Sequence, residues 1–192
     1  GVEPPAKELW LRAKNGVSRC YQVVYSLAKD EDGEFSKAYG VAQDVTVQKR
    51  LEDEYAHLSQ EFLSLNPEAL CSFRLNLSAD LCTGGHGSSD YIKNILTSTS
   101  ATGFFAHLIA IMSDEEDIAK AKALLSCQAL IEKYRSGEKN LSLTYRRQMA
   151  DGARHWVTTY IALVRNPHTG EIEALLYSLD SNETIIDKLI SE

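Results

Sequence analysis

Near the C-terminus, three runs of β-favouring residues are separated by turn signals. Leu141 to Met149 ends at Asp151-Gly152, two residues that tolerate positive φ and favour a hairpin turn. Arg154 to Arg165 follows, and Asn166 to Gly170 predicts the next turn. The last run is Ile172 to Leu179. The pattern predicts three consecutive antiparallel strands.

The same pattern occurs near the N-terminus, about 136 residues earlier. The shared landmarks are an aromatic or basic strand, an Asn-Gly or Asp-Gly turn, a second strand, a turn ending in Gly-Glu, and an aspartate. The first copy predicts strands near Glu8 to Ala13, Ser18 to Ala28 and Phe35 to Gln43, and its final aspartate is Asp44. Hardly any sequence precedes this copy, so we expect a truncated module.

Between the two copies the pattern becomes helical. From Val47 to Leu65, apolar residues recur at spacings of four and three, the period of a coiled-coil seam. They are Leu51, Tyr55, Leu58, Phe62 and Leu65. Two interpretations stay open, a parallel dimer helix and an amphipathic helix packed on its own domain.

Asn66-Pro67 predicts the end of that helix, because proline disfavours helical geometry in the residue before it. Two short strands are predicted next, Leu70 to Leu77 and Leu81 to Thr83, followed by a flexible loop at Gly84 to Gly87. Ser88 or Ser89 can then cap a helix through Ile92, Ile95 and Leu96.

Further short helices are predicted before the second set of strands. Gly103 to Met112 is almost wholly apolar and therefore predicted to be buried. Ser113 with Glu116 has the spacing of a capping box, and Ser126 could cap a last helix that ends at Gly137. The order of elements is two strands, several helices and three strands.

This order resembles the PAS fold, and several short motifs add to the likeness. Tyr145-Arg146-Arg147, Asp151-Gly152 and His155-Trp156-Val157 resemble the Y-R, D-G and R-W-V pattern of PAS modules in bacterial sensor kinases and cyclic-dinucleotide enzymes. The run from Gly40 to Arg50, which contains Asp44 and Thr46, resembles the G-x-x-x-D-[IV]-T-x-x-K stretch that ends such modules. In the second copy Asp180 is kept but Asn182 replaces the threonine, which leaves output through the following helix less assured.

The resemblance implies an α+β chain with four parts. Residues 1–46 would be the C-terminal, three-stranded part of a first PAS module, and residues 47–66 a linker or signalling helix. Residues 67–181 would form a complete module, with a five-stranded antiparallel sheet and helices on one face. Residues 182–192 would begin an output helix.

In this family, the sheet and helices enclose a small cavity. The resemblance implies a pocket for a small molecule, and a closed aromatic core is an equally good interpretation. The pocket candidates are Phe73, Leu75, Phe104, Phe105, Leu108, Tyr145, Trp156 and Tyr160. The residues at the signal-helix exits are Asp44, Thr46 and Asp180. Arg146 and Arg147 could bind an anion, although exposed arginines are more often solvated.

We expect no cofactor and no metal. Haem would need an axial histidine such as His107, but a lone histidine on an apolar face is more often a core residue. His86, among glycines, is predicted to be exposed in a loop. The N-C-R-F-L-Q motif of flavin photoreceptors is absent, and the four scattered cysteines are predicted to be reduced structural residues.

Charge narrows the choice of partners. Twenty basic and twenty-seven acidic residues give a formal charge of -7, which repels nucleic acid and anionic membranes. No run reaches the roughly 18 apolar residues of a membrane span, and no signal peptide pattern begins the chain. We expect a cytoplasmic fragment without direct membrane contact, even if a parent protein is membrane-anchored.

The sequence therefore predicts a sensory input and dimerisation module of a bacterial signalling protein, without catalysis of its own. It would pair as a homodimer through the linker helix and the N-terminal sheet. Its output domain, in the same parent chain, would be a diguanylate cyclase or a histidine kinase, the cyclase being preferred. The alternative is a ligand-free PAS scaffold that dimerises a sensor histidine kinase.

Overall fold

The computed structural model describes residues 6–29, 31–33, 35–64, 68–87, 99–149 and 152–185. The chain divides into two compact units, residues 1–54 and 55–192. The boundary falls within the predicted linker helix. The four-part division stays a prediction at its finer boundaries.

The first unit contains a three-stranded antiparallel sheet. Its strands are β1 (Lys7–Arg12), β2 (Ser18–Lys29) and β3 (Phe35–Asp44), in the order β1-β2-β3. Gly16 and Gly33, in the two connecting turns, have φ values of 82° and 84°, which residues with a side chain rarely adopt. The turn glycines therefore fix the strand boundaries that the sequence predicted.

Helix α1 (Thr46–Ser64) follows directly and runs across the unit boundary. In its first turns, Lys49 forms ion pairs with Glu8 at 2.9 Å and with Glu52 at 3.0 Å. The first pair joins the helix to strand β1.

The second unit contains the five-stranded antiparallel sheet. Its strands are β4 (Cys71–Asn76), β5 (Leu81–Gly87), β6 (Asn140–Gln148), β7 (Arg154–Arg165) and β8 (Ile172–Asp180). Their order across the sheet is β5-β4-β8-β7-β6, so the first and last strands of the unit are central neighbours. The α+β fold with this sheet is the predicted one.

Three described helices connect β5 to β6. They are α2 (Ala101–Ala110), α3 (Glu115–Leu124) and α4 (Cys127–Arg135). Ser100 and Ser126 cap α2 and α4 by accepting the N–H of Gly103 and Ala129. The cap at Ser126 was predicted, whereas the predicted helix through Ile92, Ile95 and Leu96 lies outside the described residues.

The predicted capping box at Ser113 and Glu116 is wrong. Asp114 is the N-cap of α3, and its side chain makes no capping hydrogen bond. Its carboxylate instead pairs with the Arg146 Nε at 2.6 Å. An available guanidinium competes successfully with the helix N–H groups for that carboxylate.

The two faces of the second sheet have different coverings. The inner face packs with α2, α3 and α4 into one hydrophobic cluster, centred on Phe73, Leu75, Phe104, Leu108 and Tyr145. The outer face carries a smaller cluster of Ala162, Val164 and Leu175, and α1 covers it with Tyr55, Leu58 and Phe62.

The covering of the outer face is what the packed-helix interpretation of α1 predicts, and a parallel dimer helix stays a prediction. Three of the five apolar seam residues pack on this unit's own sheet, as an amphipathic helix does. Leu51 is exposed, and the side chain of Leu65 lies outside the described residues. In this structure α1 is therefore a packed helix at Tyr55, Leu58 and Phe62.

Candidate functional site

The predicted exit motif of the first copy ties the start of α1 to strand β2. Asp44 accepts hydrogen bonds from the Thr46 hydroxyl at 2.5 Å and from the Thr46 N–H at 3.0 Å. The Thr46 hydroxyl in turn accepts the Cys20 N–H at 2.9 Å. The Val45 N–H donates to the Cys20 carbonyl at 2.9 Å. The motif thus fixes where the strand ends and the helix begins.

Electrostatics favour the ionised form of Asp44. The Thr46 hydroxyl, then its N–H, hold the pKa of Asp44 below its ordinary value, and Arg19 adds a smaller attraction. The Arg19 guanidinium lies 3.3 Å from the carboxylate. Asp44 is therefore a negatively charged anchor at neutral pH.

The second copy repeats this arrangement 136 residues later with different side chains. Asp180 accepts the Asn182 N–H at 3.0 Å, and Asn182 Oδ1 accepts the Trp156 N–H at 3.4 Å. The Ser181 N–H donates to the Trp156 carbonyl at 2.8 Å. His155 takes the place of Arg19, with Nδ1 2.6 Å from the Asp180 carboxylate. Asn182 therefore makes the bond that Thr46 makes in the first copy, and residues 182–185 are helical.

Six of the eight predicted pocket residues come together in the core. Phe73, Leu75, Phe104, Phe105, Leu108 and Tyr145 are all buried in the main cluster. The rings of Phe73 and Phe104 lie 4.7 Å apart, and those of Phe104 and Phe105 5.8 Å apart. These contacts are those of a packed aromatic core.

A chain of hydroxyl groups is buried beside these rings. The Tyr145 hydroxyl lies 3.3 Å from Thr159 Oγ1, which lies 2.7 Å from Ser178 Oγ. Thr159 and Ser178 were not predicted as site residues.

Trp156 and Tyr160 lie on the opposite face of the sheet from the other six. Successive residues of a strand point to opposite faces, and Val157, Thr159 and Ile161 of β7 point into the core. Tyr160 is 37% exposed and stacks on Tyr177 with ring centres 5.1 Å apart. The two residues cannot line a cavity with the others, contrary to the prediction.

A buried polar network lies where α1 covers the outer face. The Tyr55 hydroxyl donates to Glu173 Oε2 at 2.7 Å, and Asn166 Nδ2 donates to Glu173 Oε1 at 2.8 Å. Glu173 is only 4% exposed. Burial, then the bond to Glu173, raise the pKa of Tyr55. The sequence pattern did not indicate this network, because Tyr55 and Glu173 lie 118 residues apart.

Arg146 and Trp156 form a small exposed site with Asp114. The Arg146 guanidinium lies over the Trp156 ring, 4.8 Å from its centre, and pairs with Asp114. Arg146, one of the two arginines suggested for anion binding, is therefore already paired with a carboxylate of the chain.

The structure corrects one prediction at each of two histidines. His107 is exposed on α2 rather than buried in the core, because Phe104 and Leu108 occupy the inward positions. His86 is exposed as predicted, but Gly84 to Gly87 belong to strand β5 and not to a loop. Within the described ranges, no group of three or more His, Cys, Asp or Glu residues could hold a metal ion. None of the described helices has the length and apolar character of a membrane span.

Comparisons with known proteins returned structural matches alone. Neither a family model nor a curated protein matches the sequence. Three of the matching solved structures are a diguanylate cyclase N-terminal domain with PAS/PAC sensor from Marinobacter aquaeolei, an RNA-binding light-oxygen-voltage receptor, and a PAS domain from a two-component sensor histidine kinase.

The similarity to each of these structures is low. The cyclase domain is 18% identical over 59% of this chain and 96% of its own, with a TM-score of 0.39. The receptor is 9% identical over 98% and 82%, with a TM-score of 0.40. The kinase domain is 14% identical over 69% and 98%, with a TM-score of 0.33.

Proposed function

We propose, from the PAS fold of its second unit, that this chain is a sensory input and dimerisation module of a bacterial signalling protein. The second unit has two strands, then helices, then three strands in one antiparallel sheet, which is the element order that the resemblance to PAS modules predicted; the strands lie in the order β5-β4-β8-β7-β6. This topology is the observation that carries the proposal. PAS modules regulate other domains, so the chemistry belongs to an output domain elsewhere in a parent chain.

Helix α1 would transmit the signal. It starts at the exit motif of the first copy and, after the unit boundary, packs on the outer face of the second sheet through Tyr55, Leu58 and Phe62. A ligand that changes the packing of the inner face would shift this helix through the sheet between them. The helix that starts at Asn182 provides a second exit toward an output domain.

The ligand would be a small molecule that enters the aromatic core. Its polar anchor would be the buried hydroxyl chain of Tyr145, Thr159 and Ser178, because a ligand needs a few polar groups within an apolar lining. No cofactor is required by this proposal.

Native mass spectrometry of the freshly purified chain tests the proposal. We expect a co-purifying small molecule whose addition raises the melting temperature, because a ligand that binds only the folded state stabilises it. Thr159→Val should weaken that rise, since it removes the central hydroxyl of the chain, whereas exposed Thr102→Val should not. A scaffold without a ligand predicts no added mass and no ligand-dependent shift.

A further inference from the structure

A second candidate binding site lies outside the core, on the outer face of the second sheet. It is a groove of about 240 Å³ at strands β4 and β5, lined by Ser72, Arg74, Thr83, Gly84, Gly85 and His86. Its volume is slightly below the range of pockets for drug-sized ligands, so it suits a small metabolite. The ligand site proposed above in the aromatic core includes none of these six residues.

The guanidinium of Arg74 is the main chemical feature of the groove. Its Nε is buried and has no hydrogen-bond acceptor among the residues that the structure describes. Its guanidinium carbon lies 5.7 Å from the centre of the Tyr55 ring. A buried N–H without a partner is costly, and a partly desolvated charge attracts an anion more strongly than a hydrated one does.

The nearby buried carboxylate is engaged elsewhere. Glu173 accepts from Tyr55 and from Asn166, and it forms no ion pair with Arg74. Within the described part of the chain, Arg74 therefore keeps its charge without an anionic partner.

The backbone beside Arg74 is irregular in a way that opens the groove. The register of β4 and β5 shifts between Arg74 and Leu75, which leaves Thr83 as the extra residue of a β-bulge. The Thr83 hydroxyl donates to the Arg74 carbonyl at 3.1 Å. Gly84 lies opposite Arg74, and a Cβ at this position would meet no atom within 4 Å.

Additional polar groups complete the lining. Ser72 is 5% exposed, and its hydroxyl can donate or accept. His86, directly opposite Ser72 in the register, carries an imidazole N–H donor. One arginine cation with two further hydrogen-bond donors matches an anion of low charge better than a multiply charged phosphate.

We propose that this groove binds the carboxylate group of a small organic acid through Arg74, with Ser72 and His86 as additional donors. A carboxylate is planar and complements the guanidinium edge. The site lies beside Tyr55 of α1, so an occupied groove would also act on the helix that packs there. The inference does not depend on a ligand in the aromatic core.

Titration of the full chain with succinate, followed by ¹H–¹⁵N NMR, tests this site. We expect saturable shifts of the Gly84 and Gly85 amides and of the Arg74 Nε–Hε signal. Neutral succinamide, and sodium chloride at matched ionic strength, should not produce them. Phosphate should bind more weakly, and tighter binding of phosphate would overturn the carboxylate assignment.

Arg74→Gln should weaken succinate binding about tenfold or more, because it removes a charge-assisted hydrogen bond. Arg154→Gln removes an exposed arginine from strand β7 and is the matched control, with unchanged binding expected. Equal binding by Arg74→Gln and the wild type would refute the site. If Arg74→Gln does not fold, the contrast between succinate and succinamide on the wild type decides the question. The NMR shifts of Gly84, Gly85 and Arg74 report on the groove alone. A ligand in the aromatic core is detected independently by native mass spectrometry.

Discussion

Asn182 stands where the exit motif has a threonine, and it makes the corresponding hydrogen bond. Its side-chain oxygen accepts the Trp156 N–H, as the Thr46 hydroxyl accepts the Cys20 N–H. The sequence indicated a less assured exit at this position because the expected threonine was missing. The geometry shows that an amide oxygen reaches the same backbone donor, at a longer distance.

The exit bond of the second copy can be tested by substitution. We expect Asn182→Ala to lower the free energy of unfolding by about 1 kcal/mol, the usual net contribution of one hydrogen bond. Asn182→Thr should retain most of that stability, because threonine makes the equivalent bond at position 46. Urea denaturation followed by fluorescence measures both. Equal loss in the two variants would contradict the assigned role of Asn182.

The lowered pKa of Asp44 predicts that the stability contributed by the exit motif of the first copy depends on pH. Its pKa is lowered in the folded chain, so its contribution to stability is present above the unfolded pKa of about 4. It is lost as the pH falls through the lower, folded pKa. The stability difference between wild type and Asp44→Asn should therefore be present at pH 6 and vanish toward pH 3, as thermal unfolding would show. A difference that does not vary with pH would refute this linkage.

At the scale of elements, α1 is held on the second sheet by more than apolar contact. The Tyr55 hydroxyl is one of two donors to the buried carboxylate of Glu173. We expect Tyr55→Phe to lower the free energy of unfolding by about 1.5 to 3 kcal/mol, the range for a hydrogen bond to a charged group. Chemical denaturation measures this loss.

Tyr134→Phe is the control for that substitution. Tyr134 is half-buried, and its recorded contact is between its ring and Lys139 rather than through its hydroxyl. Its change should cost much less than the change at Tyr55. Equal losses would mean that the hydroxyl of Tyr55 does not stabilise the helix on the sheet.

Two neighbouring glycines of strand β5 have different surroundings. A Cβ at Gly85 would lie 2.1 Å from the Phe73 ring, whereas a Cβ at Gly84 would meet nothing within 4 Å. We expect Gly85→Ala to destabilise the chain by about 1 to 3 kcal/mol, the cost of overpacking a core. Gly84→Ala should be nearly neutral. The melting temperatures of the pair measure the contrast, and similar values would argue against the close approach of β5 to Phe73.

The strand boundaries could be predicted from turn chemistry, but the orientation of side chains was harder to predict. Gly16, Gly33, Gly152 and Gly170 all have positive φ, and each lies in a turn that the sequence predicted. Strand β7 is largely apolar on both faces, and helices pack on both faces of the sheet. Its sequence therefore shows no alternation of polar and apolar residues that would identify Trp156 and Tyr160 as outward-facing.

The elements that were mispredicted depend on distant partners. Gly84 to Gly87 have the composition of a loop, and only their pairing with Cys71 to Arg74 makes them a strand. Arg74 and Glu173 are charged residues in strands, and nothing local indicates that α1 buries them. Such sites follow from tertiary packing, which a single sequence does not display.

At the scale of the whole molecule, the repeat identifies an uncovered face in the first unit. Leu9 and Leu27 correspond to Tyr145 and Leu163 of the second copy, which are 0% and 1% exposed beneath its helices. In the first unit the same positions are 46% and 51% exposed. An apolar sheet face of this kind favours association, and we propose that a second copy of the chain covers it.

Charge placed on this face should therefore separate the copies. We expect the wild type to be a dimer and Leu27→Lys to raise its dissociation constant about tenfold or more, because burial of one leucine contributes about 1.5 to 3 kcal/mol. Val41→Lys is the control, since Val41 is 73% exposed on the opposite face of the same sheet. Sedimentation equilibrium measures all three. A monomeric wild type whose β1 to β3 amides are protected from hydrogen exchange would contradict dimerisation through this sheet.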